Sequence, residues 1–123
     1  QRERIVKTIL SELNETIAAR GALIVAPDGM LIASDVRAGE DIERLSAMGA
    51  GILSQIGTSL ERAGLGSFAQ VEVVTEEGKL VLVEAGPTYL LVLLGARLEI
   101  GPGSIEIRSA AKRIARATDF AAN

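Results

Sequence analysis

Neither cysteine nor histidine occurs in this chain of 123 residues. The first absence removes disulfides and thiol chemistry. The second removes the commonest metal ligand and the side chain best suited to proton transfer near neutral pH. Tryptophan is missing as well, and Phe68, Tyr89 and Phe120 are the only aromatic residues. Nowhere does an apolar run approach the roughly 18 residues of a membrane span, and no charged-then-apolar leader is legible, so a cytoplasmic protein is expected. The net charge of −3 gives no overall electrostatic footprint for nucleic acid. Most catalytic constellations are excluded by these absences alone.

What the chain does have is apolar surface. Its hydrophobic fraction of 48% and mean hydropathy of +0.31 are high for so few aromatics. One domain of this length buries a real core, and an apolar surplus in a small domain favours self-association. Residues 1–118 are expected to form that domain and 119–123 a tail.

The segment Ile42 to Leu60 carries two stripes. At about 100° per residue, Ile42, Leu45, Gly49, Ile52, Leu53, Ile56 and Leu60 fall on one apolar face. Beside it lie Ser46, Ala50, Ser54 and Gly57, flanked by Ala47 and Gly51. Glycine inside a helix costs about 1 kcal/mol relative to alanine. Three of them imply a close visitor to the backbone, and the same helix of a second copy is the expected one. Glu40, Asp41 and Glu43 suit the positive start of this helix, and Gly64 followed by Leu65 suits its end, with a hydrophobic contact from Leu65.

Ahead of it, Ile5, Val6, Ile9, Leu10, Leu13 and Ile17 repeat at helical spacing, in a helix ending near Asn14 to Arg20. Strands are expected over Ala22 to Ala26 and Met30 to Ser34, joined by a Pro27-Asp28-Gly29 turn. After Gly64, Phe68 to Thr75 alternates, with Ala69, Val71 and Val73 on one side, and reads as a half-wet edge strand. Lys79 to Ala85 and Tyr89 to Leu94 follow, the last apolar at every position and therefore covered on both faces. Gly101-Pro102-Gly103-Ser104 breaks the chain and supplies an N-cap to a helix buried along Ile107, Ala110, Ala111, Ile114 and Ala117. The outcome is an α+β domain of order α-β-β-α-β-β-β-α around a five-stranded antiparallel sheet.

This order resembles the Roadblock/dynein light chain family over nearly the whole chain. The resemblance is carried by Gly21-Ala22-Leu23-Ile24-Val25, Asp28-Gly29, Ile32-Ala33-Ser34-Asp35, the small-residue helix and the apolar last strand after Gly86. It implies a sheet with the long helix on one face and the terminal helices on the other. It further implies a homodimer in which the third strands pair edge to edge and the long helices pack antiparallel. The interface would then comprise Ser46, Ala47, Ala50, Gly51, Ser54 and Gly57 with Ala69, Val71 and Val73. Members of that family serve Ras-like small GTPases as activating partners, scaffolds or recruiters. Arg44, Gln55, Thr58 and Arg62, on polar positions of the long helix, are the expected partner contacts. A structural light chain or assembly adaptor indifferent to nucleotide is the competing class, and a small-molecule sensor a third.

No catalytic, cofactor or metal site is expected. Gly78-Lys79 lacks the leading glycine and the trailing Ser/Thr of a phosphate loop, since Val73 and Leu80 stand there. The Gly101 loop reads as a break and cap rather than an anion cradle. Glu76-Glu77 and Glu40-Asp41 read as solvated charges at a turn and a helix start, without the cleft that would raise a carboxylate pKa. Arg108, Lys112, Arg113 and Arg116, with Arg2, Arg4 and Lys7, make a basic surface if both terminal helices share a face. That surface reads first as solvated charge and second as a weak site for an acidic partner or lipid.

Overall fold

The computed structural model describes residues 2–118. The elements are α1 (Arg2–Ile17), β1 (Gly21–Val25), β2 (Leu31–Val36), α2 (Ile42–Arg62), β3 (Gln70–Val74), β4 (Gly78–Ala85), β5 (Thr88–Gly95), a 3-10 turn (Gly101–Gly103) and α3 (Ser104–Thr118). The sheet runs β2-β1-β5-β4-β3, with every neighbouring pair antiparallel. The tail expected at 119–123 lies outside the described residues.

Side-chain alternation sorts the three inner strands onto two cores. Ile24, Val81, Val83, Leu90, Val92 and Leu94 meet α1 and α3 on one face, and Leu23, Val25, Leu80, Leu82, Leu91 and Leu93 meet α2 on the other. The unbroken apolar run of β5 is thereby explained, because it is covered on both sides. The α+β layering is the one expected.

Local chemistry sets the joints. Asp28 Oδ1 accepts from the Met30 amide at 3.0 Å and Gly29 adopts φ +90°, which folds β1 back onto β2 as the Pro-Asp-Gly turn requires. Register slips between Ile24 and Val25, so β2 begins with a bulge and extends to Val36 rather than stopping at Ser34. Asp41 caps α2, its Oδ1 accepting from the Arg44 amide at 3.1 Å. At the other end the Leu65 amide donates to Leu60 O and the Gly64 amide to Glu61 O, with Gly64 at φ +75°. This is a Schellman closure.

Four further expectations change. Leu65 is 72% exposed, so the closure forms without its apolar contact. Ser104 is no N-cap: the Gly-Pro-Gly segment is itself a turn of 3-10 helix running on into α3, and the Ser104 hydroxyl donates back to Ile100 O at 3.3 Å. Ile5 is exposed rather than buried. Glu40 is not a solvated charge. Its carboxylate holds Arg20 through Nε at 2.7 Å and Nη2 at 3.1 Å, while Arg20 Nη1 donates to Glu77 O. That hydrogen bond with Glu40 raises the Arg20 pKa, and the clasp ties the start of α2 to the β3–β4 turn.

Candidate functional site: the outer face of the long helix and the open strand edge

Along α2 only Gly49 and Leu53 are buried, although the helix is the longest of the three. Leu45 and Ile52 pack on the sheet core but stay half-buried, Ile56 and Leu60 are half-buried as well, and Met48 is 41% exposed. The helix therefore has two flanks with different neighbours.

On the first flank lies the β1–β2 turn. A Cβ built on Gly29 would overlap the Ala50 Cβ, so the turn and the helix touch backbone to methyl. A Cβ on Gly49 would come within 2.8 Å of Leu91 Cδ1. The close neighbours of Gly49 and Ala50 are thus parts of this same chain, so small size at these two positions is accounted for within one copy, where a second copy was the visitor expected. Ser46 lies on this flank too, its hydroxyl oxygen buried and without a hydrogen-bond partner. Gly51 and Gly57, by contrast, have open space where a Cβ would stand. Gly57 and Ser54 line a shallow groove with Thr58, Glu61, Gly66 and Ser67.

The second flank faces β3. Leu45, Met48 and Ile52 form with Val73, Leu80 and Leu93 a mostly apolar cleft of about 250 Å³, with the Arg20–Glu40 pair and Lys79 at its rim. Between the flanks, at the crest of the helix, Ala47, Gly51, Ser54 and Thr58 are exposed together with Arg44, Gln55 and Arg62. Arg44 is held loosely by Asp41 at 3.4 Å, both side chains largely solvated.

Strand β3 forms one edge of the sheet. Val71 and Val73 turn inward and pack on the α2 side, while Ala69 precedes the strand and is exposed. The strand is shorter than the Phe68 to Thr75 span expected, since Phe68 leaves it to pack on Tyr89 with ring centroids 5.3 Å apart. Glu84 N donates to Ala69 O and Thr75 N to Gly78 O. Paired residues in an antiparallel ladder alternate between bonded and non-bonded, so Val71 and Val73 point their amides at β4. Gln70, Glu72 and Val74 point theirs to the open edge. Side-chain alternation alone did not reveal this phase.

No group of three or more acids able to hold a metal occurs among the described residues. Glu76-Glu77 sits at the exposed β3–β4 turn. The arrangement offers recognition surface: an apolar cleft, a crest of small and polar side chains, and a row of unpaired strand groups.

Comparison with known proteins supplies the family. Residues 5–94 match the model of the Roadblock/LC7 domain, a span that runs from α1 into β5 and stops short of α3. Two uncharacterised proteins of Methanocaldococcus jannaschii, MJ1340 and MJ0714, are each 31% identical to the chain; the alignments cover 89% and 91% of it and 96% and 95% of their own lengths. The chain belongs to the Roadblock/LC7 family. The gliding protein MglB of Thermus thermophilus shares the fold at a TM-score of 0.86 and 19% identity, over 96% of this chain and 91% of that one. A Roadblock/LC7 domain from Streptomyces avermitilis does so at 0.78 and 21%, over 88% and 92%. Acanthamoeba castellanii profilin IA follows at 0.65 and 16%, over 94% and 98%. Roadblock and profilin folds are thus both structural neighbours of this α+β architecture.

Proposed function

We propose that the protein is a homodimeric regulator or scaffold of a Ras-like small GTPase, with no catalytic site of its own. The observation that carries this reading is the division of labour around α2: an open strand edge and a half-filled cleft on one flank, and a solvent-facing crest with no acid–base pair. Two copies joined through Gln70, Glu72 and Val74 would form one continuous sheet. The partner's α2 would then arrive from the β3 flank and close the cleft over Met48 and Ile52, with Gly51 and Gln55 in the seam. Ser46 and Ala50 would stay with their own hairpin. Ala47, Ser54 and Thr58, framed by Arg44 and Arg62, would remain as the surface for the GTPase. Such a protein acts by holding the GTPase's own catalytic groups in place.

The test is capture of proteins from lysate of the source organism on the immobilised chain, with a GDP analogue or a nonhydrolysable GTP analogue present. A small GTPase should be retained in one nucleotide state, and the double reversal Arg44→Glu, Arg62→Glu should weaken retention at least about tenfold without altering the oligomeric state. Retention of partners that ignores nucleotide would favour the adaptor class instead. Saturable GTP binding by the purified chain alone, measured by calorimetry, would overturn the non-enzymatic reading.

A further inference from the structure

The surface opposite α2 has its own chemistry. Helices α1 and α3 carry seven Arg and Lys against four Glu, in a chain whose net charge is −3. They run antiparallel: Arg113 Nη1 meets Glu12 Oε1 at 3.1 Å, and Ile17 lies against Gly103 at the other end. The basic start of α1 is thereby set beside the basic last turns of α3. At helical spacing Ile105, Arg108, Lys112 and Arg116 form the outer ridge of α3, away from the buried stripe of Ile107, Ala110 and Ile114. The three cations of this ridge, and Lys7 on α1, are exposed and have no ion-pair partner among the described residues. Ile105 is 70% exposed in line with them.

We infer that this ridge docks on an anionic lipid surface. A broad strip of unpaired Arg and Lys, level along one helix and accompanied by an exposed branched apolar side chain, matches a plane of negative headgroups with an apolar layer beneath. A compact acidic peptide would be served by a pocket with cations converging on it. Here the cations follow one another along the ridge, and the groove between α1 and α3 holds Glu12 and Glu106 among its walls. Two copies strengthen the contact if the dimer proposed above is right. A strand paired with its own copy antiparallel has its two-fold axis normal to the sheet, so both ridges would face the same way and both α2 crests the opposite way. The membrane contact itself requires only one copy.

Cosedimentation of the full chain with vesicles tests the inference. Vesicles of phosphatidylcholine with phosphatidylglycerol should retain the protein at low salt, phosphatidylcholine alone should not, and retention should fall as salt rises. Arg108→Glu with Lys112→Glu should weaken binding at least about tenfold, and Ile105→Ser should weaken it less. Both variants change exposed positions, and circular dichroism confirms their fold. Absence of binding to the anionic vesicles, or binding untouched by the double reversal, overturns the inference. So does release from vesicles by soluble polyglutamate at matched charge, which would identify an acidic polypeptide as the occupant. Light scattering on the same samples reports the dimer separately: a monomer that still binds vesicles defeats the dimer reading and leaves this one standing.

Discussion

The two faces of the sheet are built from similar strands and closed in different ways. On the α1–α3 face, Val6, Ile9, Leu10 and Leu13 from one helix and Ile107, Ala110, Ala111, Ile114 and Ala117 from the other are all buried, and the two helices pack on each other as well as on the strands. On the opposite face one helix spans the same sheet and buries Gly49 and Leu53 alone, leaving Ile52, Ile56 and Leu60 half-covered. Apolar surface kept partly wet costs about 25 cal/mol per Å² that burial would recover. A long apolar helix left in that state makes physical sense when a further surface covers it. The sealed face holds the fold, and the loosely covered face is the one that the proposed dimer would complete.

The largest expected effect separates these roles by stability. Leu10→Ala, in the sealed core, should lower unfolding free energy by about 2–5 kcal/mol, independent of protein concentration. Ile52→Ala should cost less than half as much in dilute solution, and its cost should grow with protein concentration if a second copy completes the cleft. Urea denaturation at several concentrations reads both. Equal, concentration-independent costs would erase the contrast between the faces.

A second experiment turns on the direction of the β3 amides. Proline at Glu72 removes a donor aimed at the open edge and should raise the dimer dissociation constant about tenfold or more with the monomer fold intact. Proline at Val73 removes a donor aimed at β4 and should destabilise the sheet itself. Sedimentation equilibrium and thermal unfolding distinguish the two, and a dimer insensitive to Glu72→Pro places the interface elsewhere.

Much of this architecture was readable from residue order. The apolar run Tyr89 to Leu94 required two covering layers, the Ile42 to Leu60 periodicity gave the long helix, and Asp28-Gly29 marked its hairpin. What escaped is instructive. A small residue announces close approach without naming the visitor, so Ala50 read the same whether it met another copy or Gly29, twenty-one positions earlier in the chain. Alternating side chains give the faces of β3, but the direction of its amides depends on register with β4, a tertiary fact. Gly101-Pro102-Gly103 reads as a helix break by propensity, yet three residues suffice for a 3-10 turn that extends α3 backwards. Glu40 looked solvated because its partner, Arg20, belongs to a different connection.

The smallest expected effect compares how a helix from each face ends. Both α1 and α2 close with an amide returning to a carbonyl five residues back, Ala19 N to Asn14 O and Leu65 N to Leu60 O. Each needs one residue in the left-handed region to make that turn. On α2 it is Gly64 at φ +75°; on α1 it is Ala18 at φ +57°, the one non-glycine residue with positive φ among those described. Alanine is strained there by about 1–2 kcal/mol, and glycine would relieve the strain at a cost of about 0.5–1 kcal/mol in added freedom of the unfolded chain. Ala18 is exposed, so its methyl contributes little packing to offset. Ala18→Gly should therefore stabilise the protein by about 0.5–1 kcal/mol, and Gly64→Ala should destabilise it by a similar amount. Both should appear as shifts of the urea midpoint at constant slope. A midpoint that falls on Ala18→Gly would mean that the sealed face draws more from this alanine than its backbone angle costs.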